Sequence, residues 1–252
     1  MVHQPLSAVL ITLNAAGQLE PCLRSLAFCD EIVVIDSGST DDTVYLAERH
    51  GARVIQSEWR GYGPQKQFAV SQAKHDWVLC IDADERVSEA LQKSIVTALG
   101  AQLFHAYRFA RCNRFMGRYL RHGEGYPDWS LRLFDRRHAR WSDDPVHEKV
   151  VTEVSIGLLD GDLMHDSAET LDAYLAKQNR YTTLAAKEAL ARGKRASVAA
   201  LVLSPSFRFI KFYFLRLGFL DGVAGFTHIL IGCGNSFAKY AKMLASQTDK
   251  NG

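Results

Sequence analysis

Cysteine is scarce and unpaired in this sequence. Its five cysteines (Cys22, Cys29, Cys80, Cys112 and Cys233) are odd in number and form no C-x-x-C pair. That argues against a disulfide framework and for free, mostly buried thiols in a reducing compartment. A large charge of one sign is also missing: 30 Lys and Arg against 28 Asp and Glu leave a net charge of +2. Nucleic-acid binding calls for a much stronger basic excess and is not expected. The first residues, MVHQPLSAVLITLN, have no basic stretch ahead of an apolar one and run straight into a strand pattern. No signal peptide is expected, and the protein is expected in the cytoplasm. No internal repeat or low-complexity tract interrupts the chain.

What is present is an ordinary folded composition, with 47% hydrophobic and 23% charged residues. At 252 residues it suits one large domain or one domain with an appendage. SAVLITL (7–13), EIVVID (31–36), ARVIQ (52–56) and residues 76–82 read as buried strands. Between them, Leu19, Leu23 and Leu26 recur at helical spacing, with Pro21 tolerable in a first turn. A second helix opens within SGSTDDTVYLAERHG, with Ser39 or Thr40 as N-cap, Asp41 and Asp42 in its first turn and Gly51 as its stop. Pro64 opens a third, through Lys74, and a fourth over 88–100 buries Leu91, Ile95 and Leu99. This β-α-β-α order predicts an α/β fold, a mainly parallel sheet flanked by helices, whose ligands sit beyond the carboxyl ends of the strands. The Thr12–Asn14 turn, Asp36 and Asp82 all fall at such ends. After Leu103 the pattern changes to the shorter strands AYRFARC, WSLRLFD, VHEKVV and GLLDGDLMH, an antiparallel extension. A polar helix over 170–192 and a Phe- and Leu-rich segment close the chain.

The stretch DWVLCIDADERV (76–87) carries the chemistry. A buried strand cannot end in three carboxylates, Asp82, Asp84 and Glu85, unless it has reached the surface or meets a positive group. Mg²⁺ and Mn²⁺ take oxygen ligands, share their shell with phosphates and need only one or two protein carboxylates. Asp82 and Asp84, on one side of an extended chain, supply one carboxylate for such a metal and one for a sugar hydroxyl. The competing reading is an acidic cap on the following helix.

VLITLNAAGQLEPCLRSL, EIVVIDSGSTDDT and DWVLCIDADE, in this order and spacing, resemble the nucleotide-binding half of the family 2 inverting glycosyltransferases. GYGPQKQFA, WSLRLFD, VHEKV and RLGFLDGVAGF are similar to the bacterial lipopolysaccharide inner-core glucosyltransferases, which add β-1,4-linked glucose to heptose. The resemblance covers nearly the whole chain. It implies a GT-A fold, a UDP-sugar donor and a divalent metal. It places Thr12 and Asn14 around the uridine, Asp36 at the uracil or ribose, Asp82 at the ribose and Asp84 on the metal. It also implies a catalytic domain over 1–168, with a nucleotide half (1–100) and an acceptor half (101–168), and a helical region over 169–252.

Lys66, in GPQKQ, is either a diphosphate contact or a helix-surface lysine. Inversion needs a carboxylate to take the acceptor hydroxyl's proton. Glu148, in DDPVHEKV, is the candidate, with His147 as alternative base or orienting group and Asp128, Asp143 and Asp144 as rivals. The Glu-Asp pair found in many family members is absent. His165 is a candidate third metal ligand or a structural histidine. FRFIKFYFLR (207–216) mixes aromatics and cations, as in a helix lying in an anionic membrane interface. Pro205, the charges and Asp221 argue against a spanning helix, and packing on the catalytic domain or across a dimer is the alternative. A lipopolysaccharide core acceptor would place the enzyme peripherally on the inner face of the inner membrane. Among rival functions, a dehydrogenase would show G-x-G-x-x-G where this chain has NAAGQLEP. A phosphatase would carry its aspartate at the first strand, and a nucleotidyltransferase a glycine- and basic-rich loop after it. A non-catalytic nucleotide-sugar binder would keep UDP affinity without turnover.

Overall fold

The computed structural model describes residues 4–144, 148–167 and 170–248. They group into two compact units, Met1–Arg111 with Asp128–Asp166, and Cys112–Pro127 with Ser167–Gly252. Residues 112–127, which the sequence places with the acceptor half, therefore group with the C-terminal helices.

The first unit begins with β1 (Leu6–Thr12), α1 (Ala16–Ser25), β2 (Glu31–Asp36), α2 (Thr43–Arg49), β3 (Arg53–Gln56) and α3 (Tyr62–Gln72). β4 (Trp77–Cys80), β5 (Glu85–Val87), α4 (Glu89–Ala101) and β6 (Ala106–Phe115) follow. After β7 (Arg118–Tyr119), which belongs to the second unit, the remaining strands of the first are β8 (Asp128–Asp135), β9 (Ala139–Trp141), β10 (Val150–Thr152) and β11 (Ile156–His165). The main sheet runs β3-β2-β1-β4-β8-β6-β11-β5. Its first four strands are parallel, as the alternating pattern predicts. β8 then enters antiparallel beside β4, and β6 antiparallel beside β8.

Strand alternation divides the core between the two faces of this sheet. Leu6, Ala8 and Leu10 of β1 join Leu19 and Leu23 of α1, Ala47 of α2, and Leu91 and Ile95 of α4. Val9, Val33 and Ile35 face the other way, onto Ala69 and Val70 of α3 and Trp141 of β9. Each fully buried Leu or Ile contributes about 1.5–3 kcal/mol, so both helix layers are fixed by the sheet they cover.

Two local expectations are corrected. β4 ends at Cys80, leaving Asp82 in the segment beyond it. α2 starts at Thr43 after Asp42, and neither Ser39 nor Thr40 caps it. Both residues turn to the strand tips instead: Asn14 N donates to Ser39 Oγ (2.8 Å) and Thr40 N donates to Asn14 Oδ1 (2.8 Å). Ser88, by contrast, caps α4, its hydroxyl accepting from Leu91 N.

In the second unit, α7 (Gly222–Thr248) packs on α5 (Leu171–Ala191) and α6 (Val198–Phe209). α6 passes through Pro205 and continues as a π-helical turn over Ile210–Leu215. Buried Asp221 accepts from the backbone N–H groups of Arg121 (2.9 Å) and His122 (2.8 Å) and anchors the 112–127 segment there. Val198–Leu215 is long and apolar enough, by length and composition, to cross a membrane, and none of it is buried.

Gly161 of β11 has φ +95°, and a Cβ there would meet Leu91 N at 2.3 Å; α4 lies against bare backbone. Gly161→Ala is expected to lower the unfolding free energy by at least about 2 kcal/mol. The readout is a fall in the urea midpoint at unchanged slope.

Candidate active site

A cleft of about 820 Å³ opens beyond the carboxyl ends of β1 and β4. Its walls are Thr12, Leu13 and Asn14 after β1, Trp59, Tyr62 and Lys66 on and before α3, Asp82 to Asp84 after β4, Glu148, and His165 at the end of β11. Seven of the nine residues singled out in the sequence thus line one cavity. The eighth, Asp36, is fully buried and does not. Its carboxylate accepts from Thr12 Oγ1 (2.9 Å), Ser39 Oγ (2.5 Å), Gly38 N (3.0 Å) and Ser39 N (2.8 Å). It ties the tips of β1 and β2 together, so a direct nucleotide contact would require these bonds to open. The ninth, His147, lies outside the described residues.

The DAD segment is a turn, not the extended strand end expected, and its carboxylates go separate ways. Asp82 meets Arg132 of β8 at 2.8 Å and Lys66 at 3.1 Å. Burial disfavours its charge, but Arg132 and Lys66 outweigh that and hold the carboxyl well below the usual range. Asp84 lies with Oδ2 3.1 Å from His165 Nε2. Register explains that meeting: β11 pairs antiparallel with β5 so that His165 stands opposite Glu85. Asp166 N then donates to Asp84 O (2.9 Å), and Gln18 holds Asp166 O at 2.6 Å.

Lys66 is not a surface lysine; it is 7% exposed. Its ammonium bridges Asp82 and Glu148 Oε1 (3.0 Å) and lies 4.8 Å from the centre of the Trp141 ring. Gly63, one turn earlier, allows this: a Cβ there would strike the carbonyl oxygens of Ser142 (2.3 Å) and Asp144 (2.6 Å). The close approach seats the first turn of α3 against the segment leading to Glu148. The rival carboxylates lie elsewhere, Asp128 chelated by Arg111 (2.7 Å) and Asp143 exposed beside Arg140.

Arg132 is not singled out in the sequence, and Glu85 stands there only as the third carboxylate after an apolar strand, with no buried partner to expect. Glu85 is fully buried: it accepts from Asp82 N (2.9 Å) and meets Arg132 (3.2 Å) and Arg111 (3.5 Å). Burial pushes its carboxyl up, and neighbouring Asp82 adds to the rise, against the pull of the two arginines. A signal exists in WSLRLFD, where Arg132 interrupts the apolar run Leu131, Leu133 and Phe134. Trp59 and Tyr62, with ring centroids 4.9 Å apart, add an aromatic wall that the sequence reading also passed over.

Outside the cleft, His105, Asp135 and His138 bring potential metal ligands within 4.8 Å of one another. The two imidazoles are stacked, 4.2 Å apart and inclined by 30°, so their in-plane lone pairs do not converge. Arg137 already donates to both oxygens of Asp135, through Nε to Oδ1 and Nη2 to Oδ2. That arrangement is an ion-pair cluster in form.

Residues 7–152 match the sequence model of glycosyl transferase family 2. The chain belongs to that family: it is a glycosyltransferase with a GT-A fold. The lipopolysaccharide core biosynthesis glycosyltransferase LpsC of Rhizobium meliloti (strain 1021) is 34% identical over 95% of this chain and 92% of its own length. The uncharacterized glycosyltransferase RP128 of Rickettsia prowazekii (strain Madrid E) is 31% identical over 94% and 86%. Among solved structures, S. aureus TarS 1-349 in complex with UDP-GlcNAc superposes with a TM-score of 0.49 and 17% identity, covering 94% of this chain and 82% of that one.

Arg132→Met leaves Asp82 and Glu85 without their shared cation, at an expected cost of roughly 3–5 kcal/mol at neutral pH. In the wild type, Asp82's depressed pKa stabilises the fold at neutral pH, and that contribution is lost as the pH falls through the ordinary Asp range of about 4 and below. Glu85, shifted upward, works in the opposite sense and is relieved on acidification. The penalty of Arg132→Met is therefore expected to shrink from neutral to acid pH, measured by urea unfolding across that range. A penalty independent of pH would contradict the assignment.

Proposed function

We propose that the protein is an inverting glycosyltransferase that moves a hexose, glucose, from a UDP-sugar to heptose of the lipopolysaccharide inner core. The observation carrying this is one cleft that joins Lys66, Glu148 and the Asp84–His165 pair at the ends of a parallel sheet. The lipopolysaccharide acceptor is supported by the similarity to LpsC, and glucose by the motif resemblance. Trp59 and Tyr62 offer the uracil a stacking wall, beside Thr12 and Asn14. Asp82 reaches the ribose, and Asp36 acts from behind by fixing the Thr12 loop.

The cleft fits a divalent cation. Asp84 Oδ2 and His165 Nε2, a carboxylate oxygen and an imidazole nitrogen, lie 3.1 Å apart on its wall and would hold Mg²⁺ or Mn²⁺ between them and the diphosphate. Bound there, the ion would neutralise diphosphate charge. Lys66 adds a cation for the leaving group. As Lys66 turns to the diphosphate, Glu148 gives up its ion pair and takes the acceptor hydroxyl's proton. The acceptor oxygen bonds to the anomeric carbon as the bond from that carbon to the diphosphate oxygen breaks on the opposite face, and UDP departs with the electron pair. His147 is the alternative base.

The acceptor's lipid anchor bears on the second unit. Phe207, Ile210, Phe214, Leu215, Phe219 and Leu220 are exposed there, with exposed Lys211 and Arg216 among them. An apolar surface of this extent with cations suits a peripheral seat in an anionic bilayer, on the inner face of the inner membrane.

Asp84→Ala is expected to abolish turnover and metal-dependent UDP binding, read by calorimetry with Mn²⁺ and with chelator; near-normal turnover removes the metal assignment. Glu148→Gln should keep UDP affinity while losing roughly 10²–10⁴-fold in transfer, and retained transfer moves the base to His147. Calorimetry with UDP-glucose and UDP-galactose names the hexose. Phe214→Asp with Leu215→Asp should reduce sedimentation with phosphatidylglycerol-containing vesicles, and an unchanged partition favours packing of these helices on protein.

A further inference from the structure

A second cavity, of about 380 Å³, shares Lys66 and Glu148 with the donor cleft. Four of its lining side chains are cations, Lys66, Arg111, Arg132 and Lys149, and one, Glu148, is a carboxylate. The counter-ions Asp82, Glu85 and Asp128 hold the first three of these cations from outside the lining. Lys149 is exposed, with no ion pair among the described residues. Arg132 is 7% exposed, and its buried Nη1 has no hydrogen-bond partner. A guanidinium this enclosed ordinarily has its donors filled. Trp129, 46% exposed, adds an indole to the wall, and Trp141 a buried one.

We propose that this cavity is the acceptor subsite and that it takes a saccharide bearing an oxyanion, a phosphate or a carboxylate. The inference rests on the transfer reaction proposed above. The anion sits against Arg132 and Lys149, the sugar face lies on Trp129, and a hydroxyl of the same molecule faces Glu148. A neutral sugar would offer these cations only hydroxyl oxygens, whereas charge-assisted bonds to an anion are about twice as strong. Arg132 keeps Nη2 on Asp82 and Glu85 and has Nη1 left to donate to one oxygen of the anion. Because Glu148 and Lys66 border both cavities, an acceptor fixed by its anion would have its hydroxyl held beside the base and next to the donor.

The test uses the full chain saturated with UDP and Mn²⁺. Its affinities for glucose 6-phosphate, glucuronate, methyl glucoside and inorganic phosphate are measured by calorimetry or ligand-observed NMR. The expected result is that glucose 6-phosphate or glucuronate binds at least about tenfold tighter than methyl glucoside, the better of the two naming the anion. Lys149→Glu should erase that advantage while UDP affinity, the folding control, stays as in the wild type. Trp129→Ala should weaken both charged sugars but not inorganic phosphate. Equal affinity for charged and neutral sugars, with UDP bound normally, overturns the inference; Nη1 then belongs to the water-sized void of about 10 Å³ beside Lys66 and Asp82. Inorganic phosphate binding as tightly as glucose 6-phosphate, regardless of Trp129, reduces the cavity to a simple anion site and overturns the saccharide. Failure of UDP itself to bind removes the transferase reaction, and this inference falls with it.

Discussion

Arg132 is the cation on which the site depends. The chain places Asp82 and Glu85 three residues apart where an apolar strand ends, and neither is solvated freely enough to stand alone. A buried carboxylate survives as an ion only with a partner and hydrogen bonds. Arg132 supplies the partner to both at once, and Asp82 N supplies a further bond to Glu85. With those charges fixed, the turn between them holds Asp84 toward the cleft. Trp141 completes the support, facing Arg132 and Lys66 with its ring and donating to Cys80 Sγ. The same indole thus steadies a residue of the scaffold and a residue of the cleft.

The ion pair between Lys66 and Glu148 borders both the donor cleft and the second cavity. Its members come from residues 82 positions apart and meet because Gly63 has no side chain. In the proposed reaction they are the two groups that must exchange partners, Lys66 toward the leaving diphosphate and Glu148 toward the acceptor. A pair held together at rest keeps both charges compensated in a cleft that lacks substrate.

Much of this was legible in the sequence because it follows from local periodicity. The four parallel strands and their helices announce themselves through apolar runs bounded by turn residues, and the strand-tip rule then singles out Thr12, Asn14, Asp82 and Asp84. Local rules failed where a long-range bond competes with a local one. Ser39 and Thr40 look like helix caps, but Asp36 and Asn14 outbid the helix for them. Asp36 looks like a crevice residue, yet four hydrogen bonds bury it. Glu85 looks like a solvated acid, and only the insertion of β8 reveals why it is not. No periodicity encodes which strand of the second half will lie beside β4.

That insertion bears on the order in which the protein is made. The first hundred residues contain every element of the parallel half, and a growing chain presents them to solvent first. Yet β4 finds its other neighbour in β8, and the guanidinium between two acidic groups arrives only with residue 132. Until then the nascent nucleotide half carries an open sheet edge and one acid, Glu85, whose cations Arg111 and Arg132 both come later. The ribosome must therefore release more than half of the polypeptide before this half can close, and the donor cleft is walled only later, when Glu148 and His165 arrive.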